Sequence, residues 1–182
     1  AGYKWPGHKC LASHICGAVL FRRGFMETGF FYFIDDAFYE ALPDCGLMTN
    51  KGEDHGRPCH YCFERNGIYW MVPISSRIEK YEALYQKKKA RYGKCDTITF
   101  GYVNGRKAAF LVQNLFPVTP GFITEQYMIE HGTVPVTVSK NKSKELNSLV
   151  KKTIRMYESG LNISMVDLDA VMSFIKGKGN NV

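Results

Sequence analysis

The chain has 182 residues, with 24 lysines and arginines against 17 aspartates and glutamates, a net charge of +7 and 14% aromatic residues. This length suits one domain with a core of ordinary size, and six cysteines are too few for a disulfide scaffold. No apolar run is long enough to span a membrane, and residues 11–21 lack the cleavage pattern of a signal peptide. The excess of positive charge favours a polyanionic partner, nucleic acid above all, and the sparse cysteines suit a reducing cytosol.

The first 25 residues differ in composition from the remainder of the chain. They contain five glycines or prolines, two cysteines, two histidines and no acidic residue. A globular pattern begins at Met26. We therefore expect residues 1–25 to form an N-terminal extension, native or artificially added, and residues 26–182 to form a single domain.

The domain opens with a strand, a short helix and a loop. Residues 29–34 are nearly all aromatic and predict a buried strand. Asp35 or Asp36 can cap a short helix that continues through Leu42. The polar, glycine-rich residues 44–56 then predict a loop, and loops beside rigid sheets often carry functional residues.

A β-hairpin follows, centred on Asn66-Gly67. This dipeptide between two β-rich runs favours a type I′ turn, which needs positive φ at both central residues. The two-residue loop sets the cross-strand pairs. They are Arg65 with Ile68, Phe63 with Trp70, Tyr61 with Val72, and His60 with Pro73. Because side chains alternate along strands, this register places His60 and Ser75 on the same face, with Arg57 at the same end.

A helix start follows the second strand directly. Ser76 and Glu79 have the spacing of a capping box, and the apolar period predicts a helix to about Tyr92. The free N–H groups of a helix start attract phosphate, so Ser75, Ser76 and Arg77 could meet a phosphodiester there. The other residues that this arrangement could bring to the phosphate are His60, His55, Arg57 and Lys80. The alternative is that Ser76 only caps the helix and His60 is an ordinary histidine.

Two cysteines in the hairpin have the spacing of a zinc ligand pair. Cys59 and Cys62 are separated by two residues, but a zinc site needs two more ligands. The only crowded candidates, Cys10, His14 and Cys16, have an unusually long spacing. The predicted strand also turns the two hairpin cysteines to opposite faces. We therefore expect buried free thiols, no metal and no cofactor, with a zinc-dependent adaptor protein as an alternative function.

Basic residues cluster at the end of the predicted helix and beyond it: Lys87, Lys88, Lys89, Arg91 and Lys94. Cations suit a helix C-terminus. They could equally bind RNA phosphates, with Tyr85 and Tyr92 stacking on bases. Both interpretations remain open.

The second half of the chain predicts further strands and then helices. Asn104-Gly105 marks a second hairpin with two central strands, residues 122–131 a short helix or irregular stretch, and residues 133–138 an edge strand. An apolar face from Leu146 to Tyr157 predicts a helix that ends by Gly160, and a second helix is predicted at residues 166–175. The first carries six basic residues, which form either a solvated face or an RNA-binding surface: Lys140, Lys142, Lys144, Lys151, Lys152 and Arg155.

This order of elements indicates an α+β fold, with a strongly bent antiparallel sheet, barrel-like, and flanking helices, two of them C-terminal. No phosphate-binding glycine loop, H-E-x-x-H or G-x-S-x-G motif is present. The sequence therefore gives no sign of the nucleotide, metalloprotease or hydrolase sites that those motifs mark.

Three segments resemble the type III toxin endoribonucleases, the ToxN/AbiQ/CptN family, and most of all its CptN branch. They are FFYFIDDAFY at residues 30–39, IYWMVPISS at residues 68–76, and VQNLFPV at residues 112–118. The resemblance spans about residues 29–175, and the order and spacing of the segments are more specific than any one of them. The serines correspond to the family's paired hydroxyl residues. Family members continue with proline and lysine, whereas this chain has Arg77 and Ile78, so Arg77 or Lys80 must supply the positive charge.

The resemblance implies a compact PemK/MazF-like barrel with added helices. It implies metal-independent cleavage of RNA to 2′,3′-cyclic phosphate ends, in cellular mRNA and in the precursor of an antitoxin RNA, with a role in phage defence. It further implies that this antitoxin, a small pseudoknot RNA, inhibits the toxin and that toxin and RNA protomers close into a ring. A non-catalytic protein that binds structured RNA is the alternative from the charge alone.

Overall fold

The computed structural model describes residues 26–50, 56–161 and 163–179. The predicted extension at residues 1–25, and with it the possible zinc ligands Cys10, His14 and Cys16, lies outside the described residues, as does His55. Within the described part the fold is α+β, and every strand pairing there is antiparallel. The helices are α1 Asp36–Glu40, α2 Ile78–Tyr92, α3 Lys140–Glu158 and α4 Leu168–Gly179. The strands are β1 Phe31–Ile34, β2 Cys59–Arg65, β3 Ile68–Ser75, β4 Thr99–Val103, β5 Arg106–Phe110, β6 Phe116–Val118, β7 Ile123–Gln126, β8 Met128–Ile129 and β9 Val134–Pro135.

The main sheet has the order β4-β5-β3-β2-β1-β7, and β6 also pairs with β3. One edge of β3 is divided between two partners: Tyr69 to Met71 pair with β6, whereas Ile74 and Ser75 pair with β5. A single 3₁₀ turn at Val112–Asn114 carries the chain from β5 to β6. Since no pairing among the described strands joins β7 to β4, the expected mixed fold is confirmed but a closed barrel is not.

Both Asn-Gly hairpins form where they were predicted. Asn66 and Gly67 have φ of 57° and 75°, and Asn104 and Gly105 have φ of 48° and 69°. Only glycine and a few residues such as asparagine adopt this region readily, which is why the dipeptide marks these turns. The expectation of two central strands in the second hairpin is half wrong, because β5 is internal whereas β4 lies at the edge of the sheet.

A register shift interrupts the first hairpin at Cys62. The pairs Arg65 with Ile68 and Phe63 with Trp70 agree with the prediction, but Tyr61 then pairs with Met71, and His60 with Val72. The extra residue is a β-bulge, which moves the rest of β2 by one position. The predicted pairs of Tyr61 with Val72 and of His60 with Pro73 are therefore wrong.

The helices cover the two faces of the sheet. Phe110 in β5 belongs to the larger core cluster, together with Leu146 and Val150 of α3. Ala109, the next residue along β5, instead belongs to a second cluster with Tyr81 of α2. Alternate positions of one strand point to opposite faces, so α3 packs on one side of this strand and α2 on the other.

The segment between β6 and α3 departs from its predicted structure. Residues 122–131 form β7 and β8 rather than a helix. Of the strand predicted at residues 133–138, only β9 and a bridge between Thr137 and Phe30 are formed. Pro135 lies on a two-stranded sheet, as its missing N–H requires. No helix in the described part of the chain is both long and apolar enough to cross a membrane.

Candidate active site

The junction between β3 and α2 is built by the two serines, but not as a capping box. Helix α2 begins at Ile78 with Arg77 in the capping position, and the Arg77 side chain makes no capping hydrogen bond. The backbone N–H of Arg77 donates to Ser75 Oγ at 3.2 Å, and that of Ile78 donates to the carbonyl of Ser76 at 2.9 Å. The predicted box between Ser76 and Glu79 is therefore wrong, because the hydroxyl that braces this turn belongs to Ser75.

The two hydroxyl residues consequently differ in accessibility. Ser75 is 5% exposed, and its side chain points to the α2 side of the sheet, since it pairs with Ala109. Ser76 is half-buried at the end of the strand. Of the pair, Ser76 is the one that a large ligand such as RNA can approach.

Arg57 reaches the same place from the irregular segment that directly precedes β2. Its guanidinium Nη1 donates to the carbonyl of Ile74 at 3.0 Å, and Nε donates to the carbonyl of Thr49 at 3.4 Å. Ile74 immediately precedes Ser75. The structure therefore brings Arg57 and the serine pair together, as the sequence predicted.

His60 is on the other side of the sheet. It pairs with Val72, so it shares a face with Ile74 rather than with Ser75. Its side chain is fully buried, with ring centroids 5.4 Å from Phe31 and 6.0 Å from Phe110. The predicted common face of His60 and Ser75 is wrong because the bulge at Cys62 reverses the orientation of every residue beyond it.

The environment of His60 suits a neutral imidazole. Nδ1 lies 3.4 Å from Cys62 Sγ, and Nε2 has no hydrogen-bond partner in the described structure. Burial, together with the charge of Lys142, lowers the pKa of His60 from 6.5 to about 3. A buried imidazole that stays neutral at neutral pH is not placed to exchange protons with an RNA substrate.

The cations of α2 separate into two groups. Lys80, Lys87 and Arg91 are exposed and spaced so that they share one flank of the helix over about 16 Å. Lys88 instead turns inward, where its ammonium donates to Thr97 Oγ1 at 2.9 Å and to Gln113 Oε1 at 2.7 Å. Lys88 therefore ties α2 to the interior, contrary to its predicted role in RNA binding.

The remaining predicted cations near the end of α2 are at the surface. Arg77 and Lys89 are exposed. Lys94 lies after the helix, and its ammonium is 3.7 Å from the Asp96 carboxylate. Arg91 stacks over the ring of Tyr92, 5.1 Å from its centroid.

The six basic residues of α3 also divide. Four exposed side chains lie within about 60° of arc, beside the buried face, over about 22 Å of helix. We call these residues the α3 stripe: Lys140, Lys144, Lys151 and Arg155. Its cations have no hydrogen-bonded acidic partner in the described structure, although Lys151 lies 5.3 Å from the Phe63 ring centroid.

The other two lysines of α3 are used within the fold. Lys142 is 12% exposed, donates to Thr99 Oγ1 at 2.7 Å, and pairs with Glu145 at 3.0 Å. Lys152 pairs with Asp96, which lowers the pKa of that carboxyl. Both residues thus have intramolecular partners, and their predicted RNA contact stays a prediction.

Of the two tyrosines predicted to stack on bases, one is packed in the core and the other is exposed. Tyr85 packs edge-on against Phe100, with ring centroids 5.7 Å apart, so its ring belongs to the core. Tyr92 is 62% exposed and remains available. Sequence reasoning missed Tyr102, which is 70% exposed on edge strand β4. Its position next to the Asn104-Gly105 turn was the available signal.

Cys59 and Cys62 are fully buried free thiols. Burial raises the pKa of Cys59 to about 12 and also raises that of Cys62. No group of three or more histidine, cysteine or acidic residues in the described ranges is arranged to hold a metal ion. These two cysteines therefore act as apolar core residues.

Comparison with known proteins gives a match in structure only. No family model and no curated protein matches the sequence. The fold is similar to a solved structure described as "A processed non-coding RNA regulates a bacterial antiviral system", which is ToxN of a type III toxin–antitoxin system with its processed RNA. The TM-score is 0.60 over 80% of this chain and 96% of that chain, at 11% identity. The chain thus shares the ToxN fold, as the sequence resemblance implied.

Proposed function

We propose that this chain is the toxin of a type III toxin–antitoxin system and a metal-independent endoribonuclease. The observation that carries the proposal is that Arg57 bonds to the carbonyl of Ile74, directly before Ser75 and Ser76 at the start of α2, in a chain that has the ToxN fold. A guanidinium, hydroxyl groups and a helix N-terminus are groups that bind and stabilise a phosphodiester. The proposal includes that the bent sheet is of the PemK/MazF type.

The reaction is an internal transfer of the phosphoryl group. The 2′-oxygen of the RNA attacks the adjacent phosphorus and loses its proton, while the bond from phosphorus to the 5′-oxygen breaks and that oxygen gains a proton. The products carry a 2′,3′-cyclic phosphate and a 5′-hydroxyl. Such a step is accelerated by holding the attacking and leaving oxygens in line and by stabilising negative charge on the phosphate.

Each residue of the site has a distinct task in this reaction. Ser75 fixes the turn through the N–H of Arg77, and Ser76 orients the phosphate or the 2′-hydroxyl. Arg57 stabilises the charge that develops on the phosphate oxygens. Arg77, or Lys80 one turn further on, replaces the family lysine whose position Ile78 occupies here. His60 has no part in this mechanism, and His55 stays a candidate for proton transfer.

RNA beyond the scissile phosphate is proposed to follow exposed basic surfaces. Lys80, Lys87 and Arg91 lead away from the site along α2. The α3 stripe offers a second surface, long enough for several successive phosphates. We assign these surfaces to substrate RNA and to a pseudoknot antitoxin RNA, which the toxin cuts from its precursor and with which it closes into a ring in the bacterial cytoplasm.

The proposal is tested by incubating RNA with the purified chain in the presence of a chelator. We expect cuts that leave cyclic phosphate ends, detected by mass spectrometry. Ser76→Ala should slow cutting on the order of 10²-fold, the scale of losing one transition-state donor. Ser173→Ala, at an exposed position of α4, is the matched control and should cut normally. Folded Ser76→Ala that cuts at the wild-type rate would refute the assignment.

The second candidate is an RNA-binding protein without catalytic activity, which the α3 stripe alone would explain. It predicts tight RNA binding and no cleavage. Expression in bacteria separates the two functions. Growth arrest that disappears with Ser76→Ala supports the nuclease, whereas arrest that persists supports binding alone.

A further inference from the structure

Asn50 links three parts of the chain that meet behind the candidate active site. Its side-chain Nδ2 donates to the carbonyl of Ile34 at 3.2 Å and to Asp36 Oδ1 at 2.8 Å. Its Oδ1 accepts from the backbone N–H of Arg57 at 2.6 Å. One half-buried amide therefore joins the end of β1, the start of α1 and the residue that reaches the serine pair.

Arg57 is held at both its backbone and its side chain. Asn50 accepts from its backbone N–H, and its guanidinium donates to the carbonyls of Thr49 and Ile74. The Nη2 group makes no hydrogen bond within the described residues, so two donors of the fork are left for a ligand. A guanidinium fixed in this way keeps its geometry for a planar, bidentate contact with phosphate.

We propose that Asn50 is a positioning residue that acts through Arg57, setting the guanidinium at the phosphate of the scissile bond. The inference rests on the proposed nuclease function. Asparagine fits the role because the position needs one acceptor for Arg57 and two donors for Ile34 and Asp36. Aspartate offers the acceptor but no donor, and it would place a second carboxylate against Asp36.

A purely structural role for Asn50 makes a different prediction. If the amide only joins β1 to α1, its loss weakens the fold and lowers activity whether or not Arg57 is present. If it acts through Arg57, its loss changes nothing once Arg57 is gone. A double-mutant cycle on the cleavage rate therefore separates the two roles.

The experiment compares single-turnover RNA cleavage by the wild type, Asn50→Ala, Arg57→Ala and the double variant, with thermal unfolding measured for each. We expect Asn50→Ala to slow cleavage between about 10- and 100-fold, as small misplacements of a catalytic group do. In the Arg57→Ala background the same change should have no further effect. Asn50→Leu, which keeps the size but removes the acceptor for Arg57, replaces Asn50→Ala if the latter does not fold.

Thr124→Ala is the matched control, because Thr124 Oγ1 donates to the carbonyl of Phe33 on the same strand β1 without touching Arg57. It should leave the cleavage rate unchanged. Equal losses from Asn50→Ala in both backgrounds, or no loss in either, overturn the positioning role while the nuclease stands. A wild-type chain that cuts no RNA overturns both.

Discussion

Replacing His60 with leucine tests whether this residue is catalytic or part of the core. Leucine has nearly the volume of histidine and can fill the space between Phe31 and Phe110. Volume-conserving core changes usually alter the free energy of unfolding by less than about 1.5 kcal/mol. We therefore expect His60→Leu to fold and to cut RNA within a few-fold of the wild-type rate.

The same substitution should change how stability depends on pH. The folded state holds His60 neutral down to a pKa of about 3, whereas the unfolded chain takes up the proton near 6.5. Below 6.5 the unfolded state therefore binds more protons, so stability falls as the pH falls through this window. The loss is about 1.4 kcal/mol for each pH unit, or about 2 kcal/mol between pH 7.5 and pH 5.

Urea unfolding at these two pH values measures the effect. We expect His60→Leu to lose about 2 kcal/mol less than the wild type on acidification. His131→Asn is the control, since His131 is exposed and its φ of 57° suits asparagine. Its free energy of unfolding should fall on acidification by the same amount as that of the wild type. An unchanged pH dependence in His60→Leu, or a folded His60→Leu that no longer cuts RNA, would refute the placement of His60.

Three further predictions follow from the packing and the surface. Gly101→Ala should destabilise the fold by about 1–3 kcal/mol. The added Cβ would lie 2.9 Å from Lys142 Cε and 3.1 Å from Phe110 Cε2. An unchanged thermal midpoint would contradict this prediction. Lys144→Glu with Lys151→Glu should weaken RNA binding and reduce the slope of log affinity against log salt by about 1.5, unlike Ser148→Ala; an unaltered slope excludes the α3 stripe from RNA binding. Cys59 and Cys62 should escape alkylation in the folded chain, as peptide mass spectrometry can check, and rapid labelling would contradict their burial.

Features that depend on a few neighbouring residues were predictable from the sequence. Both Asn-Gly turns, the helix ending at Tyr92 and the buried face of α3 follow from local backbone preference and from spacing along the chain. The approach of Arg57 to the serine pair also followed, because both flank one hairpin. These features need only the geometry of one element or of two adjacent ones.

The bulge at Cys62 could not be foreseen in the same way. A two-residue turn fixes the register only until an extra residue intervenes, and no glycine or proline marks this one. One unpaired residue was enough to turn His60 from the face of Ser75 to the interior. The catalytic role predicted for that histidine rested on alternation that the strand does not keep.

The sequence predicts only in part which basic residues are exposed and which bond within the fold. A helical projection separates Lys142 and Lys152 from the α3 stripe. Their acceptors Thr99 and Asp96, however, come from other parts of the chain. For Lys88 the acceptors lie at Thr97 and Gln113, beyond the end of its own helix.

Outside the segment between β6 and α3, the sequence by itself determined the elements, their order and the serine pair at the end of β3, because these depend on local conformational preference and on periodicity. Only the tertiary structure decided which polar groups meet. Asn50 ties Arg57 to the end of β1, and His60 is enclosed by aromatic rings. Such meetings depend on strand register and on packing between elements, and a shift of one residue is enough to change them.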